Sequence, residues 1–322
     1  MNISLAKKAL ICGVGGQDGS LLSKFLLEKG YEVWGTSRDA QSATFGNLHL
    51  LGIFDKINYI SMAPNDFRSV LSAIIKSKPD EVYFLAAQSS VGLSFDQPVE
   101  TIESITLGTL NILEAIRFLD SKIKFYHASS SECFGDVGKI AATETTPFRP
   151  RSPYAVAKAS AHWLVANYRD SYGLFASNGI LFNHESLLRP NRFVTKKIVT
   201  SASRIASGSN ERLILGRLDI FRDWGWAPEY VEGMWKILQH HEPDDFIIST
   251  GETNSLNDFV AEAFALHDLD WKEYVDKDSS LFRPNELEWS QGSPEKAAVN
   301  LGWIARSKMK TVIKNMTNLD HK

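Results

Sequence analysis

Along the first half of the chain, short runs of apolar, β-branched and aromatic residues alternate with longer stretches whose apolar positions recur every three or four residues. Runs at 9–13, 32–36, 57–61, 81–85, 124–128 and 175–181 read as strands. Between them Leu22, Phe25 and Leu26, and later Leu110, Leu113 and Phe118, mark the buried stripes of helices. Strands joined through helices can lie parallel, because the crossover supplies the length that a tight hairpin lacks. The pattern therefore predicts an α/β protein built on a doubly wound parallel sheet, with a ligand crevice at the carboxyl ends of its strands. After about residue 183 the alternation becomes irregular, prolines and aromatics scatter, and no Gly/Ser/Pro-rich spacer marks a boundary. A smaller part, interleaved with the sheet, is expected there.

The first run enters Gly13-Val-Gly-Gly16-Gln-Asp-Gly19, and the helical pattern that follows stops at Gly30. Glycines three apart permit a tight turn, close approach of backbone to a pyrophosphate, and tight packing of helix on strand, with the helix N-terminus facing the phosphates. A lone glycine-rich turn is weak evidence. Its place after a first strand and before a helix points to a dinucleotide, and to the Rossmann form of the sheet. Residues 1–183 are accordingly assigned to a dinucleotide-binding domain, with some later segments returning to it, and 184–322 mainly to substrate. The second strand ends near Ser37-Arg38, where an acidic residue would favour NAD and an arginine suits the 2'-phosphate of NADP. Asp39 offsets part of that preference, and Arg38 could equally be a solvated surface charge, so NADP is expected with NAD as the alternative.

With 322 residues and 43% hydrophobic content the chain can bury a large core. Its 35 basic and 38 acidic residues give a net charge of −3 without a basic stripe, so a small-molecule ligand is expected rather than nucleic acid or a membrane surface. Cys12 and Cys133 are too few for a disulfide framework and read as small buried residues. With no secretory or membrane-spanning run, a cytoplasmic location is expected. No histidine or cysteine grouping has metal-ligand spacing, His240-His241 reading as surface, and no metal is expected.

Arg151-Ser-Pro-Tyr-Ala-Val-Ala-Lys158 sets Tyr154 and Lys158 about one turn apart on one helix face. A phenol titrates near pH 10, so using it as a base near neutrality asks for roughly 4 kcal/mol, which an adjacent ammonium could help supply. An ordinary surface helix also produces such pairs by chance. The deciding context is Ala128-Ser-Ser130-Ser-Glu132-Cys-Phe-Gly135 at the end of the fifth strand, which directs hydroxyls and a carboxylate at the same crevice. Alcohol oxidation needs only a hydroxyl residue, tyrosine and lysine, whereas removing a proton from carbon needs a second acid/base. Glu132 therefore selects the reaction, unless it merely caps a turn.

Gly13 to Gly19, Ala86-Ala-Gln-Ser-Ser-Val91, Ser-Ser-Glu132, the Arg151 to Lys158 segment, Asn178-Gly-Ile-Leu-Phe-Asn-His-Glu-Ser186, Phe193-Val-Thr-Lys-Lys197 and Arg222-Asp-Trp-Gly225 together resemble the GDP-mannose 4,6-dehydratases, an extended short-chain dehydrogenase/reductase family. The resemblance runs over nearly the whole chain. It implies a lyase in which Tyr154 deprotonates the sugar C4 hydroxyl as hydride leaves C4, with Ser130 bonding the oxygen and Lys158 supporting Tyr154. Glu132 then takes the C5 proton and returns it to the departing C6 hydroxyl, and hydride returns to C6. Cofactor contacts are implied at Gly13, Gly16, Gln17, Asp18, Gly19, Arg38, Leu85, Ala86, Ala87, Tyr154, Lys158, His184 and Arg189. Substrate contacts are implied at Ser90, Asn183, Lys197, Arg222, Arg283 and Glu286, with arginines meeting the diphosphate and a carboxylate the ribose.

Ser130 stands where the family commonly has threonine, Ala63 where an aspartate is usual beside the adenine, and Leu187-Leu188 where a proline and an arginine are usual. Asp39 replaces an arginine of a loop associated with tetramer contacts, so a homo-oligomer is expected, with a dimer before a tetramer. These departures leave GDP-mannose and GDP-manno-heptose both open as the GDP-sugar substrate. A sugar-nucleotide epimerase or reductase would share Tyr154 and Lys158 without needing Glu132. A non-catalytic dinucleotide sensor would have no need of Ser130, Glu132, Tyr154 and Lys158 all together.

Overall fold

The computed structural model describes residues 6–119 and 122–317. Strands β1 (Lys8–Cys12), β2 (Glu32–Ser37), β3 (Asn58–Ser61), β4 (Glu81–Phe84), β5 (Lys124–Ser130) and β6 (Ala176–Leu181) lie close to the six runs expected from the pattern. They are followed by β7 (Asn183–Glu185), β8 (Leu213–Leu215), β9 (Phe221–Trp226), β10 (Asp245–Ile248), β11 (Thr253–Ser255) and β12 (Val275–Lys277). The main sheet has seven strands in the order β3-β2-β1-β4-β5-β6-β10, every neighbour parallel. Its order reverses between β1 and β4, the switch point at which a doubly wound sheet opens its crevice.

Period-two alternation explains how one strand feeds two cores. In β1, Ala9 and Ile11 enter the core on one face while Leu10 and Cys12 enter the other. In β4, Tyr83 faces one way and Val82 and Phe84 the opposite way. The first face is covered by helices Gln17–Glu28 and Ala227–Gln239, the second by Phe67–Ser77, Gly108–Phe118 and Pro153–Tyr172. Leu22, Leu26 and Leu113 are buried as expected, but Phe118 is exposed. It lies five residues beyond Leu113, about 140° further round the helix, and so off the stripe formed by Ile112, Leu113, Ala115 and Ile116.

Beyond β6 the short strands form a three-stranded sheet, β11-β9-β7, and a pair, β12-β8. A third core gathers Ile198, Val199, Phe259, Phe264 and Val312 from helices Val194–Ala206, Leu256–Ala265 and Met309–Thr317. Strands of three residues carry too little pattern to be read locally, which is why this region looks irregular in sequence. Cys12 and Cys133 are buried and unpaired, and burial pushes both thiols up to about 12. Among the described residues no helix is long and apolar enough to cross a membrane.

At the end of the sheet opposite the crevice, the buried Glu81 carboxylate starts β4. It accepts hydrogen bonds from Tyr83 Oη at 2.8 Å, Gln239 Nε2 at 3.0 Å, Tyr31 Oη at 3.1 Å and Lys7 Nζ at 3.3 Å. Removing it strands several donors at once, and a single buried unpaired donor costs about 1–3 kcal/mol. Glu81→Ala should lower the urea midpoint by the equivalent of about 3 kcal/mol at unchanged slope. A shift within experimental error would show that these bonds carry no net stability.

Candidate active site

β1 runs into Gly13, whose φ of +85° suits glycine, and an added Cβ would stand 2.8 Å from Ala86 Cα. At Gly19 an added Cβ would stand 2.3 Å from Gly13 O, so the first turn of the helix can lie against the glycine loop only without a side chain. Gly16 caps helix Gln17–Glu28 without any side-chain hydrogen bond, leaving its N-terminal amides uncapped by side chains. That cradle fits a pyrophosphate, since amides and helix dipole both favour an anion there. Gln17 and Asp18 turn toward the segment 182–189. Gln17 Nε2 donates to His184 O at 3.2 Å, Ser186 Oγ donates to Gln17 Oε1 at 2.9 Å, and Asp18 Oδ2 lies 2.9 Å from His184 Nε2.

His184 Nδ1 bonds Phe182 O at 2.7 Å, so its Nε2 side is the one presented to Asp18. Burial alone would raise the Asp18 carboxyl, but the charge and hydrogen bond of His184, with help from Gln17, outweigh it and hold Asp18 down at about 2. Burial opposes a charge on His184 as well, and Asp18 again prevails, so the imidazole is raised above its ordinary 6.5. Arg189 is placed by Glu185 Oε2, 3.0 Å from its Nε, and by stacking on Phe193 at 3.8 Å to the ring centroid. Glu185 is buried and also accepts from Thr195 Oγ1 at 2.7 Å.

Ser130 closes β5, two residues further than the pattern suggested because β6 continues to pair with it through Leu181. Its Oγ accepts from Glu132 N at 3.3 Å and starts the short turn Ser131–Phe134 that carries Glu132. Helix Pro153–Tyr172 begins with Ser152 capping Ala155 N at 3.1 Å and proline in its first turn. That start sets Tyr154 and Lys158 on the face turned to β5. Lys158 Nζ donates to Ala128 O at 2.7 Å and lies 5.9 Å from the Tyr154 ring centroid.

Burial pushes the Tyr154 phenol above its ordinary value, against the opposing hydrogen bond of Ser130. Burial likewise lowers the Lys158 ammonium to about 8. In the protein alone burial dominates the Tyr154 phenol, and the nearby Lys158 ammonium is hydrogen-bonded to a strand carbonyl. Glu132 is raised by burial, restrained by the charges of Arg222 and Arg283 and pushed further by Glu286. Arg222 Nη2 lies 2.9 Å from Glu286 Oε1, and Arg283 Nη1 lies 3.4 Å from the same oxygen.

One cleft of about 430 Å³ is lined by Asp18, Leu85, Ser90, Ser130, Glu132, Tyr154, Lys158, Asn183, His184, Arg189, Lys197, Arg222, Arg283 and Glu286. Of the other residues singled out in the sequence, Gly13, Gly16, Gln17, Gly19, Ala86 and Ala87 lie at the strand ends around the switch point. Arg38 stands just past β2, exposed and 3.7 Å from Glu100, while Asp39 folds back to accept from Gln41 N at 2.9 Å. The cleft also takes in Ser89, Ser131, Glu185, Arg192, Arg217 and Trp224, which sequence reasoning passed over. Glu185 sits inside the segment Asn178 to Ser186, so only its burial was missing as a signal. In β9 alternation sends Arg222 and Trp224 to the cleft, and Asp223 away from it to accept from Thr250 N at 3.0 Å and Gly251 N at 2.9 Å.

A family model described as GDP-mannose 4,6 dehydratase matches residues 10–316. GDP-mannose 4,6 dehydratase 2 of Arabidopsis thaliana is 44% identical over 328 residues, covering 98% of this chain and 87% of the relative. The GDP-mannose 4,6 dehydratase of Homo sapiens is 42% identical, covering 97% and 91%. Among solved structures, a dTDP-glucose 4,6-dehydratase from Bacillus anthracis in complex with NAD shares the fold with a TM-score of 0.85 at 18% identity, covering 97% of this chain and 96% of that one.

The Asp18–His184 pair has a pH signature whose sign follows from the two shifts. The His184 share is complete below pH 6.5 and is lost as pH rises through its raised value, while the Asp18 share is present above 3.8 and is lost as pH falls through about 2. The stability lost on Asp18→Asn, measured by urea unfolding across pH, should therefore be greatest between about 4 and 6.5 and shrink at higher pH. A difference that is flat or grows toward alkaline pH would contradict the pairing.

Proposed function

The chain belongs to the GDP-mannose 4,6-dehydratase family, and we propose that it converts GDP-mannose to its 4-keto-6-deoxy form with NADP as resident cofactor. The observation that carries this reading is the meeting of Ser130, Glu132, Tyr154 and Lys158 with Arg222, Arg283 and Glu286 on one cleft. A pyrophosphate fits the cradle of Gly13, Gly16 and Gly19, where any Cβ would collide at the first and third positions. Arg38 at the end of β2 supports NADP over NAD, its exposed guanidinium being free to exchange Glu100 for a 2'-phosphate. When bound, the nicotinamide supplies a reversible hydride acceptor between C4 and C6 and, oxidised, a positive charge that favours a phenolate.

The residues of the chain then have to move protons. Tyr154 Oη takes the proton of the C4 hydroxyl, with Ser130 bonding the same oxygen and the Lys158 ammonium nearby to favour the phenolate. The ketone that results acidifies C5–H, and the Glu132 carboxylate takes that proton. Glu132 gives it to the C6 hydroxyl, which leaves as water. Protonation of C5 is balanced by the proton Tyr154 releases, so the net change is loss of one water. Burial suits Glu132 to both halves of this task, because a raised carboxyl is a better base when ionised and still a competent acid. Arg222 and Arg283 would hold the diphosphate, which also keeps positive charge beside the Glu132 carboxylate.

Incubation with GDP-mannose, and in parallel with GDP-manno-heptose, should give a 4-keto-6-deoxy product from the former without net consumption of added NADP. Stoichiometric oxidation of added NADPH would instead mark a reductase. Glu132→Gln should stop both water loss and the uptake of solvent deuterium at C5, lowering turnover by about a thousandfold, while GDP affinity by calorimetry stays within about threefold. Tyr154→Phe should suppress turnover to a similar degree before any exchange at C5. Wild-type exchange in Glu132→Gln would remove that residue from its role.

A further inference from the structure

Beyond Tyr154 and Lys158, the next residue on the same face of helix Pro153–Tyr172, another four positions on, is His162. It is buried and does not line the cleft. Its Nδ1 stands 3.3 Å from Ser129 Oγ, and its Nε2 stands 3.5 Å from Asp245 Oδ2. Asp245 opens β10 and is held by Arg169 at 2.8 and 3.0 Å and by Asn178 Nδ2 at 2.9 Å. The same Asn178 amide donates to His162 O at 3.3 Å, and its Oδ1 meets His127 Nδ1 at 2.8 Å. A buried polar chain thus runs from the edge strand, through the helix that carries Tyr154 and Lys158, to the residue preceding Ser130.

The direction of the bonds follows from donor inventory. Burial would raise the Asp245 carboxyl, but the hydrogen bond and charge of Arg169, with help from Asn178, hold it low, so it is a carboxylate and can only accept. Burial keeps His162 below its ordinary value despite Asp245, so the ring is neutral near pH 7. In a neutral ring the Asp245 carboxylate 3.5 Å from Nε2 favours the proton on that nitrogen, which leaves Nδ1 to accept, and Ser129 Oγ–H is the donor within reach at 3.3 Å. Ser129 Oγ in turn lies 3.9 Å from Cys133 Sγ, in the turn that carries Glu132.

We propose that Asp245 and His162 are positioning residues for the dehydration, orienting Ser129 and through it the end of β5 and the turn that present Ser130 and Glu132 to Tyr154. This deepens the functional reading above and rests on it. Ser129 lines the cleft too, but removing its bond to His162 leaves Arg222, Arg283 and Glu286 unaltered and frees the strand end that aligns the reacting groups, and small misplacements of such groups cost far more in turnover than in binding.

The test compares purified wild type with His162→Phe, His162→Asn, Ser129→Ala and the Phe/Ala double variant. His162→Phe and Ser129→Ala should each lower kcat about tenfold with KM for GDP-mannose within about twofold. The double variant should be no slower than the slower single, since both delete one bond. His162→Asn keeps an acceptor where Nδ1 was, and it should recover kcat to within about threefold of wild type. Independently of turnover, nitrogen NMR of the His162 ring in wild type should show Nε2 protonated and Nδ1 bare. Unchanged kcat in Ser129→Ala, a rise in KM at constant kcat, multiplying effects in the double variant, or a protonated Nδ1 would each overturn the proposal. If wild type itself makes no 4-keto product, the functional reading fails, while the ring tautomer still tests the pairing.

Discussion

A buried ammonium bonded to a strand carbonyl joins the two elements on which the chemistry depends. Lys158 Nζ donates to Ala128 O at 2.7 Å, fastening helix Pro153–Tyr172 to the end of β5. An ammonium taken out of water must find such partners or give up its proton, and burial already brings Lys158 down to about 8. The bond fixes how far along the strand the helix lies, and so sets Tyr154 opposite Ser130 and the turn that holds Glu132. Two parallel neighbours, β4 and β6, hold β5 from either side. The rigidity of the sheet is thereby passed to the reacting groups, which stand on its rim and not in a mobile loop.

Burial then sets the working state of each group in a different direction. It raises Tyr154 and Glu132, lowers Lys158, and leaves the arginines to restrain Glu132. A carboxyl pushed upward is the protonation behaviour expected of a group that must both accept and return a proton within one cycle, whereas burial moves the phenol away from the working range. In the proposed reaction the positive charge of a bound oxidised cofactor would oppose the burial that raises the Tyr154 phenol, which would couple dinucleotide binding to base strength.

Much of this arrangement was legible in the sequence because local rules wrote it there. The six strands of the first half were readable from apolar runs, the glycine cradle from spacing before a helix, and the Tyr154–Lys158 face from a four-residue interval. Phe118 was misjudged because an apolar residue off the stripe looks the same in a list of apolar positions. The small sheets were not legible, since β7, β8, β11 and β12 have only three residues each and draw their stability from partners far away in the chain. The same holds for Glu185 beneath Arg189 and for His162 between Ser129 and Asp245. Asp223 shared a quoted motif with Arg222, yet alternation along β9 gives it the opposite face and a structural task.

The most direct test of convergent oxidation and elimination on one sugar uses GDP-mannose carrying deuterium at C4, followed to product by mass and NMR. The account predicts that the label reappears at C6 of the same molecule, even with unlabelled sugar and added NADP present. Product with no label at C6, or label transferred to the free cofactor pool, would contradict it.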